Sequence, residues 1–356
     1  MLRLYGHETM RRRLRDAHAR GSLPASILLH GPRGIGKQRL ALWLAQMLLC
    51  SAGGERPCGE CAACRYTLQL GHPDLRWVFP HERFDLDAKA DAKEVFDAFG
   101  ELLVERAEAS GLYAPPSGAL GIYVVDVRAL VHHAALTPAL GPRKVIVVGD
   151  ADAMAGKSGD DAASNTFLKL LEEPPADTTI ILTTSEIGEL LPTIRSRVIA
   201  MRVAPMPDHD VRAWLEDPAV AAALDALEVP KGIAARVELA AGAPGTLLGA
   251  ASRELALTNA RRLLTAATAD RATRLRTSFG LGGSRARGTF TDSLDALTGL
   301  LHQRARDALA HDDPRAAAAA GRAIDAVQHA RVHAGGNVHP QLLGAALLAR
   351  IGRELS

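Results

Sequence analysis

Short, uninterrupted apolar runs recur in the N-terminal part of the chain and predict buried strands. The runs are Ser26–His30, Lys144–Val148 and Thr179–Thr184. Strands that are covered on both faces of a parallel sheet read as continuous apolar runs, whereas half-exposed strands alternate. The stretch from Gln38 to Leu48 is longer and predicts an apolar helix. We therefore predict an α/β domain over residues 1–203, with a parallel sheet and helices on both faces.

The pattern of apolar and polar residues changes after residue 203. Pro205 and Pro207 lie at the start of residues 204–253, where they interrupt the chain, and we predict that these residues form a small helical lid. The remaining residues, 254–356, are rich in Ala and Leu and carry few strand signals. A run such as Ala316–Ala320 favours helix over disorder, so the last domain is predicted to be all-α.

A further helical pattern lies between residues 80 and 121. Apolar positions recur at helical spacing from Glu94 to Val104, which predicts a surface helix that packs its apolar side on the parent domain. Acidic side chains precede and begin this helix, namely Asp85, Asp87, Asp91 and Glu94. Because DNA phosphates repel carboxylates, we expect the segment to stay away from DNA.

Length and charge narrow the class of protein. A chain of 356 residues with 47% hydrophobic residues has core material for two or three domains. Its net charge of +2 is nearly neutral, so any surface that attracts nucleic acid must be local. Residues 1–20 contain clustered arginines but no apolar core of a secretory signal, and no apolar stretch has the length of a membrane span. We expect a cytoplasmic protein with no membrane partner.

A candidate phosphate-binding loop connects the first predicted strand to the apolar helix. Gly31, Gly36 and Lys37 follow the spacing G-x-x-x-x-G-K, with Gly34 between them. In such a loop, backbone N–H groups and the positive end of the helix dipole converge on one anion. The next residue should be Ser or Thr, whose hydroxyl coordinates magnesium, but it is Gln38. The loop can hold a nucleotide but is poorly equipped for hydrolysis; an ordinary glycine-rich turn is the structural alternative.

An acidic residue follows the strand Lys144–Val148. Asp150 occupies the place where a P-loop ATPase has the Asp that holds magnesium, and in such an enzyme a Glu that polarises the attacking water comes next. Ala151 stands at that second position, and a methyl group cannot act as a base. The sequence leaves two roles open for Asp150: a surviving metal ligand, or a cap of the following helix.

All four cysteines lie close together along the chain. Cys50, Cys58, Cys61 and Cys64 show the spacing C-x7-C-x2-C-x2-C around a turn that contains Gly and Pro. Thiolates at this density suit tetrahedral Zn²⁺. Four thiolates leave no open position for water or substrate, so the predicted zinc is structural. Two disulfides are the alternative, which a reducing compartment disfavours.

Taken together, these segments resemble the clamp-loader branch of the AAA+ ATPases. The resemblance is carried by the P-loop and its preceding strand, by the cysteine module directly after the P-loop helix, and by a leucine-rich helix that ends in Glu-Glu-Pro-Pro. It is nearly continuous over residues 1–250 and weaker beyond. The matching segments are Leu23–Pro32, His72–Leu75, Val127–Leu130, Leu136–Pro138, Asn165–Pro175 and Ile194–Arg197.

The resemblance implies an AAA+ domain with an inserted zinc module at residues 50–64, a lid, and a collar through which clamp-loader subunits assemble. Active members of the family carry Ser or Thr after the P-loop lysine, an Asp-Glu pair, and an arginine in the lid. The corresponding residues here are Gln38, Ala151 and Gly245. These three losses imply a non-catalytic subunit without intrinsic ATPase activity, and they leave ATP binding open.

The resemblance also implies one catalytic contribution in trans. The arginine finger of the family lies in a Ser-Arg-Cys element, and Ser196-Arg197-Val198 keeps its guanidinium. Arg197 would act on nucleotide bound by a neighbouring subunit. The implied partners are gamma/tau-type and delta-type clamp-loader subunits, with the sliding clamp and primer-template DNA reached through the complex. The implied function is loading of the sliding clamp onto primed DNA during replication.

Two rival functions fit the same residues. In the first, the chain is an active gamma/tau-type ATPase that tolerates Gln38, and ATPase activity of the isolated chain would distinguish it. In the second, it is a zinc-containing, nucleic-acid-binding P-loop protein unrelated to replication. That rival predicts tight, salt-dependent DNA binding, which a net charge of +2 does not favour.

Overall fold

The computed structural model describes residues 1–87, 89–113, 120–154, 162–227, 229–281, 287–334 and 339–355. The chain forms two compact units. The first extends to Gly249, apart from a short stretch before Gly121, and the second begins at Ala250. None of the helices in the described part of the chain combines the length and apolar character that a membrane span requires. The division into three domains stays a prediction.

A parallel five-stranded sheet forms the centre of the described part of the first unit. The strands are β1 Ser26–His30, β2 Leu75–Val78, β3 Lys144–Val148, β4 Thr178–Thr184 and β5 Ile199–Arg202. Their order in the sheet is β2-β3-β4-β1-β5, with all neighbours parallel. The residues of β1, β3 and β4 are buried along almost their whole length, so both faces of the sheet are covered. The predicted fold class is confirmed.

Helices cover this sheet and form the rest of the first unit. They are α1 Glu8–Ala19, α2 Lys37–Leu49, α3 Ala62–Leu68, α4 Ala92–Glu108, α5 Val124–Ala135, α6 Ala162–Glu172, α7 Pro192–Arg195, α8 Asp208–Leu215, α9 Pro218–Asp225, α10 Ile233–Ala240 and α11 Gly245–Leu248. α2 is buried on almost every side because it packs against β1, β3 and β4. This packing explains why its sequence is apolar throughout rather than amphipathic.

The helix predicted in the extra segment is α4. Its N-terminus is capped reciprocally: the Asp91 carboxylate accepts from the backbone of Lys93 and Glu94, and the Glu94 carboxylate accepts from the Asp91 N–H. Val95 and Phe99 are buried, and the helix packs on α5. The prediction that this helix packs its apolar side on the parent domain is confirmed.

The sheet topology determines where the candidate site lies. Because all strands are parallel, their carboxyl ends meet at one edge, where ligands bind in open α/β sheets. The P-loop follows β1 at this edge, Asp150 comes shortly after β3, and Ser185 follows β4. β4 pairs with both β1 and β3, so these three turns are neighbours.

The second unit is all-α in its described part, as predicted. Its helices are α12 Ala250–Ala267, α13 Arg271–Phe279, α14 Arg287–Ala310, α15 Pro314–Ala334 and α16 Pro340–Leu355. It has a core of its own, which includes Leu263, Leu294, Val327 and Leu348. The alanine-rich run predicted to be helical lies in α15.

Candidate functional site

The P-loop has the backbone of a phosphate-binding turn. It lies between the end of β1 and the start of α2 at Lys37. Gly34 and Gly36 have φ angles of +82° and +90°, in a region that glycine adopts readily and other residues rarely adopt. A Cβ on Gly31 would lie 2.3 Å from the carbonyl oxygen of Val203. The predicted strand, loop and helix are confirmed, and nucleotide binding stays a prediction.

The Lys37 side chain is directed into its own loop. Its ammonium donates hydrogen bonds to the carbonyl oxygens of Gly31 and Pro32, at 3.0 and 2.9 Å, and to Oγ of Ser185 at 2.9 Å. Burial lowers the pKa of Lys37. An ammonium has three N–H donors, and each has an acceptor within the protein here. A nucleotide phosphate would have to displace these acceptors before it could bind Lys37.

Gln38 and Asp150 meet where an active P-loop enzyme holds its magnesium. Gln38 Nε2 donates to Asp150 Oδ2 at 2.9 Å. The amide packs closely against Gly149, since a Cβ on Gly149 would be 2.5 Å from Gln38 Oε1. The sequence left two roles open for Asp150, a metal ligand and a helix cap. This contact corresponds to neither of them. The carboxylate instead accepts a hydrogen bond from an amide.

Burial and neighbouring charges act together on the Asp150 carboxyl. Burial raises the pKa of Asp150 most, and the Asp152 carboxylate raises it further, while Lys37, Arg33 and Arg106 oppose the shift. A raised pKa means that the charged form is disfavoured in the folded protein. The raised pKa therefore makes Asp150 a weaker ligand for a cation than an ordinary aspartate.

The segment predicted to form the lid contacts the P-loop directly. The N–H of Gly245 donates to the carbonyl oxygen of Gly34 at 2.9 Å. A Cβ on Gly34 would lie 2.7 Å from Cγ2 of Thr246. Gly245 stands where the resemblance places the lid arginine, and it has no side chain that could contact a nucleotide. The lid thus contributes backbone packing to the loop in place of a charged group.

The extra segment also extends to this edge of the sheet. Arg106 of α4 is buried, and its guanidinium carbon lies 3.2 Å from the ring centre of Phe79 and 4.0 Å from that of Tyr113. Phe79 directly follows β2, and the charge of Arg106 acts on Asp150. Arg106 was not predicted as a site residue from the sequence. Arg106 lies two residues beyond the pattern that ended at Val104 and continues the helical spacing of Val95 and Phe99, which was the signal that could have found it.

Arg197 follows α7 by two residues and bonds within its own chain. Its Nε and Nη2 donate to Glu172 Oε1 at 3.0 and 2.6 Å. Its Nη1 donates to the carbonyl oxygen of Thr193 at 2.8 Å and to Ser196 Oγ at 3.2 Å. None of these partners is a P-loop residue. The role of Arg197 as a finger for a neighbouring subunit stays a prediction.

The four predicted metal ligands converge. The Sγ atoms of Cys50, Cys58, Cys61 and Cys64 all lie within 4.8 Å of one another, and those of Cys58 and Cys64 are 3.9 Å apart, as are those of Cys50 and Cys61. Tetrahedral zinc with Zn–S bonds of about 2.3 Å requires sulfur separations of about 3.8 Å. The cysteines are not joined by disulfides. The arrangement can hold a metal ion.

Two helix ends position these thiols. Cys50 follows the last residue of α2, and Cys61 caps α3, with its Sγ accepting from the Cys64 N–H at 3.4 Å. Burial would raise the pKa of Cys61, but hydrogen bonds from Cys64 and Ser51 lower it to about 5. α2 thus carries the P-loop at one end and the cysteines at the other, roughly 20 Å apart at 1.5 Å per residue. The metal centre is therefore remote from the P-loop.

The contacts of three further residues were not predicted from the sequence, namely Ser185, Thr246 and Glu172. Ser185 directly follows the strand predicted to end at Thr184, and its position at the carboxyl edge was a usable signal. Thr246 and Glu172 contact residues far away along the chain. No local pattern could have found those two contacts.

A comparison with protein families identifies a match to the first part of the chain. The family model described as "DNA polymerase III, delta subunit" matches residues 6–207. The matched region is more than half of the chain and contains the P-loop, the cysteine module, Asp150 and Arg197.

Curated relatives carry related descriptions. DNA polymerase III subunit delta' of Pseudomonas aeruginosa is 34% identical over 181 residues, which cover 51% of this chain and 43% of that protein. The Escherichia coli protein of the same name is 30% identical over 224 residues, which cover 63% of this chain and 53% of that protein. DNA polymerase III subunit tau of Salmonella typhimurium is 27% identical over 212 residues, which cover 59% of this chain and 26% of that protein. The chain spans about half the length of the delta' relatives.

Solved structures show a more distant likeness. A DNA polymerase III gamma subunit-related protein from Thermotoga maritima is 17% identical with a TM-score of 0.39, and the match covers 98% of this chain and 99% of that one. A RuvB variant from the same organism is 16% identical with a TM-score of 0.38, and the match covers 78% of this chain and 70% of that one.

Proposed function

The chain belongs to the DNA polymerase III delta subunit family, and from this membership we propose that it is a non-catalytic, delta-prime-type subunit of a bacterial clamp loader. Such a subunit helps to load the sliding clamp onto primed DNA while neighbouring subunits hydrolyse ATP. The observation that carries the proposal is the hydrogen bond between Gln38 and Asp150. It joins the two side chains that stand at the positions where an active P-loop ATPase has its metal ligands.

Further contacts support the absence of intrinsic hydrolysis. The Lys37 ammonium has protein acceptors for all of its donors. Ala151, at the position of the water-polarising carboxylate, is buried and offers only a methyl group. Gly245 packs on Gly34 with its backbone. Each of the three groups that hydrolysis needs is therefore absent or engaged elsewhere.

The chain contributes Arg197 to nucleotide held by a gamma/tau-type neighbour. A guanidinium that crosses a subunit interface stabilises charge on the transferring phosphoryl group. Arg197 is partly exposed beside an open edge strand, β5, which makes it accessible to another subunit. The partners of this proposal are gamma/tau-type and delta-type subunits, and through them the sliding clamp and primer-template DNA.

The metal of the cysteine centre is zinc, and its role is structural. Four thiolates with tetrahedral spacing match the preference of Zn²⁺. Since all four positions are filled by protein, the ion would crosslink the ends of α2 and α3 and would not activate a substrate.

The test of this function uses the complex reconstituted with gamma/tau-type and delta-type subunits, clamp and primed DNA. Arg197→Ala should assemble normally and slow both ATP hydrolysis and clamp loading. An arginine finger contributes roughly 10³ to 10⁵ in GTPases, but only one of several ATP sites receives this guanidinium, so the overall loss should be smaller. Lys37→Ala should leave the ATPase rate of the complex almost unchanged.

Two further variants serve as controls for the effect of Arg197→Ala. Arg195→Ala changes an exposed neighbour on the same segment and should have little effect. Arg197→Lys should restore little activity, because an ammonium lacks the planar fork that matches phosphate oxygens. A large loss with Lys37→Ala, or ATPase activity of the isolated chain, would instead establish the rival function as an active gamma/tau-type ATPase. Equal losses from Arg195→Ala and Arg197→Ala would indicate a structural interface.

A further inference from the structure

The Arg197 guanidinium has an intrachain partner of opposite charge. Glu172 is the last residue of α6 and begins the Glu-Glu-Pro-Pro sequence. Its Oε1 accepts from Nε and Nη2 of Arg197 at 3.0 and 2.6 Å. The two side chains are 48% and 32% exposed. The contact is therefore a surface ion pair that joins two elements, not part of the buried core.

The hydrogen bonds of Arg197 leave no pair of parallel N–H groups free to bind a phosphate. A guanidinium has five N–H donors. Nε and one N–H of Nη2 point to Glu172, and Nη1 bonds to Thr193 and Ser196. One N–H of Nη2 is left. A bidentate contact with phosphate needs two parallel N–H groups, so the side chain must leave Glu172 or its Nη1 partners before it can bind in that way.

We propose that Glu172 is a positioning residue that holds Arg197 back from the subunit interface until the nucleotide of the neighbouring subunit competes for its guanidinium. This inference rests on the proposed role of Arg197 as a finger. Glu172 neutralises the charge of Arg197 while the neighbouring site is empty. When phosphates approach, they replace the carboxylate as the acceptor, and Arg197 exchanges one anionic partner for another.

The exposure of the pair makes this exchange feasible. Surface ion pairs are screened by solvent and salt and contribute little free energy. A multiply charged phosphate group on a neighbouring subunit offers more negative charge and more acceptor oxygens than one carboxylate. The pair is therefore strong enough to orient Arg197 in the free chain and weak enough to open during the catalytic cycle.

The first arm of the test uses the isolated chain. The Nε–H resonance of Arg197, assigned by its loss in Arg197→Ala, should exchange slowly with solvent in the wild-type protein. Glu172→Gln should make this exchange faster, because the neutral amide is a weaker acceptor. Glu173→Gln changes the adjacent exposed carboxylate and should leave the exchange rate unchanged. Equal exchange rates in all three proteins would overturn the inference.

The second arm uses the reconstituted complex without clamp or DNA. Glu172→Gln should raise the basal ATPase rate roughly twofold to fivefold, the range expected for removal of an exposed ion pair. The increase should disappear in the double variant with Arg197→Ala, should shrink at high salt, and should be absent in Glu173→Gln. Glu172→Asp keeps the charge and should restore part of the wild-type rate.

The outcomes separate this inference from the proposed function. If Arg197→Ala does not change the ATPase rate, the finger assignment itself is wrong. If Arg197→Ala slows hydrolysis but Glu172→Gln leaves the rate unchanged or lowers it, Arg197 is a finger and Glu172 does not hold it back. If Glu172→Gln raises the ATPase rate even in the presence of Arg197→Ala, the inference is also overturned, because Glu172 would then act through another group.

Discussion

Two carboxyl groups of the first unit, Asp150 and Asp74, have pKa values that the folded protein shifts in opposite directions. Asp150 faces an amide and another carboxylate, and burial raises its pKa. Burial would also raise the pKa of Asp74, but hydrogen bonds from the N–H groups of Ala139, Gly141 and Leu140 lower it overall. The folded protein therefore disfavours the charged form of Asp150, whereas it favours the charged form of Asp74.

Asp150→Asn should stabilise the protein at neutral pH. A raised pKa in the folded state means that the ionised carboxylate costs stability above that pKa, and the cost disappears as pH falls below the ordinary value for aspartate. Asparagine can keep the acceptor for Gln38 without the charge. The midpoint of thermal unfolding should rise at pH 7, with the gain shrinking toward acidic pH. In an active P-loop ATPase the same change would abolish hydrolysis; here the ATPase of the complex should be preserved.

Asp74→Asn is the control of opposite sign. Because the folded-state pKa of Asp74 is lowered, its contribution is present above the ordinary aspartate pKa and is lost as pH falls through the lower folded-state value. The substitution should cost about 2 kcal/mol at pH 7, since hydrogen bonds to charged groups contribute roughly 1.5 to 3 kcal/mol each and the amide retains part of them. Denaturant unfolding at several pH values measures both effects, and equal pH dependence in the two variants would contradict this argument.

At the level of elements, the ends of α2 have separate roles. Its first residue, Lys37, belongs to the P-loop, and Cys50 follows its last residue. The cysteine module between α2 and α3 has little core of its own, because Cys58 and Cys61 are only partly buried. A bound metal ion would supply the crosslink that packing does not.

Purified protein should contain about one zinc per chain. Cys61→Ser should release the metal and destabilise the protein by about 3 kcal/mol, as expected when a structural metal is lost. The ATPase rate of the assembled complex should remain close to normal, because the centre has no open coordination position. Elemental analysis together with thermal unfolding checks the prediction. Wild-type protein without zinc, or with disulfides under reducing conditions, would contradict it.

For the whole molecule, the two units have independent cores. Leu28, Val147 and Ile181 belong to the core of the first unit, whereas the second unit buries residues such as Leu294 and Leu348 around its own helices. Exposed apolar side chains of the second unit include Phe279 and Leu342. Separate cores allow separate folding, and the second unit contains the proposed collar, residues 254–356.

A chain that ends at Gly249 should therefore fold, bind zinc and unfold cooperatively, yet fail to join the clamp-loader complex. Size-exclusion chromatography with the gamma/tau-type and delta-type subunits, run in parallel with the full chain, measures assembly. Circular dichroism and metal content show whether the shorter chain is folded. Assembly of the shorter chain with undiminished affinity would show that the second unit is not the collar.

Features that depend on local spacing could be read from the sequence. Continuous apolar runs predicted β1, β3 and β4, because strands covered on both faces need apolar residues at every position. The cysteine spacing predicted the converging thiols, because ligands of one ion must come from short turns. Helical periodicity placed α4. The resemblance to clamp loaders pointed to the family that the comparison then established.

The side-chain contacts around the P-loop and Arg197 join residues far apart along the sequence. Gln38 and Asp150 are 112 positions apart, Lys37 and Ser185 are 148 apart, and Arg197 and Glu172 are 25 apart. The sequence indicated that Gln38 could not supply the missing hydroxyl, but not that it bonds to Asp150. That contact exists because the parallel sheet brings the turns after β1 and β3 to the same edge. Hydrogen bonds of this kind depend on distances of a few ångströms in space, which residue spacing along a chain does not specify.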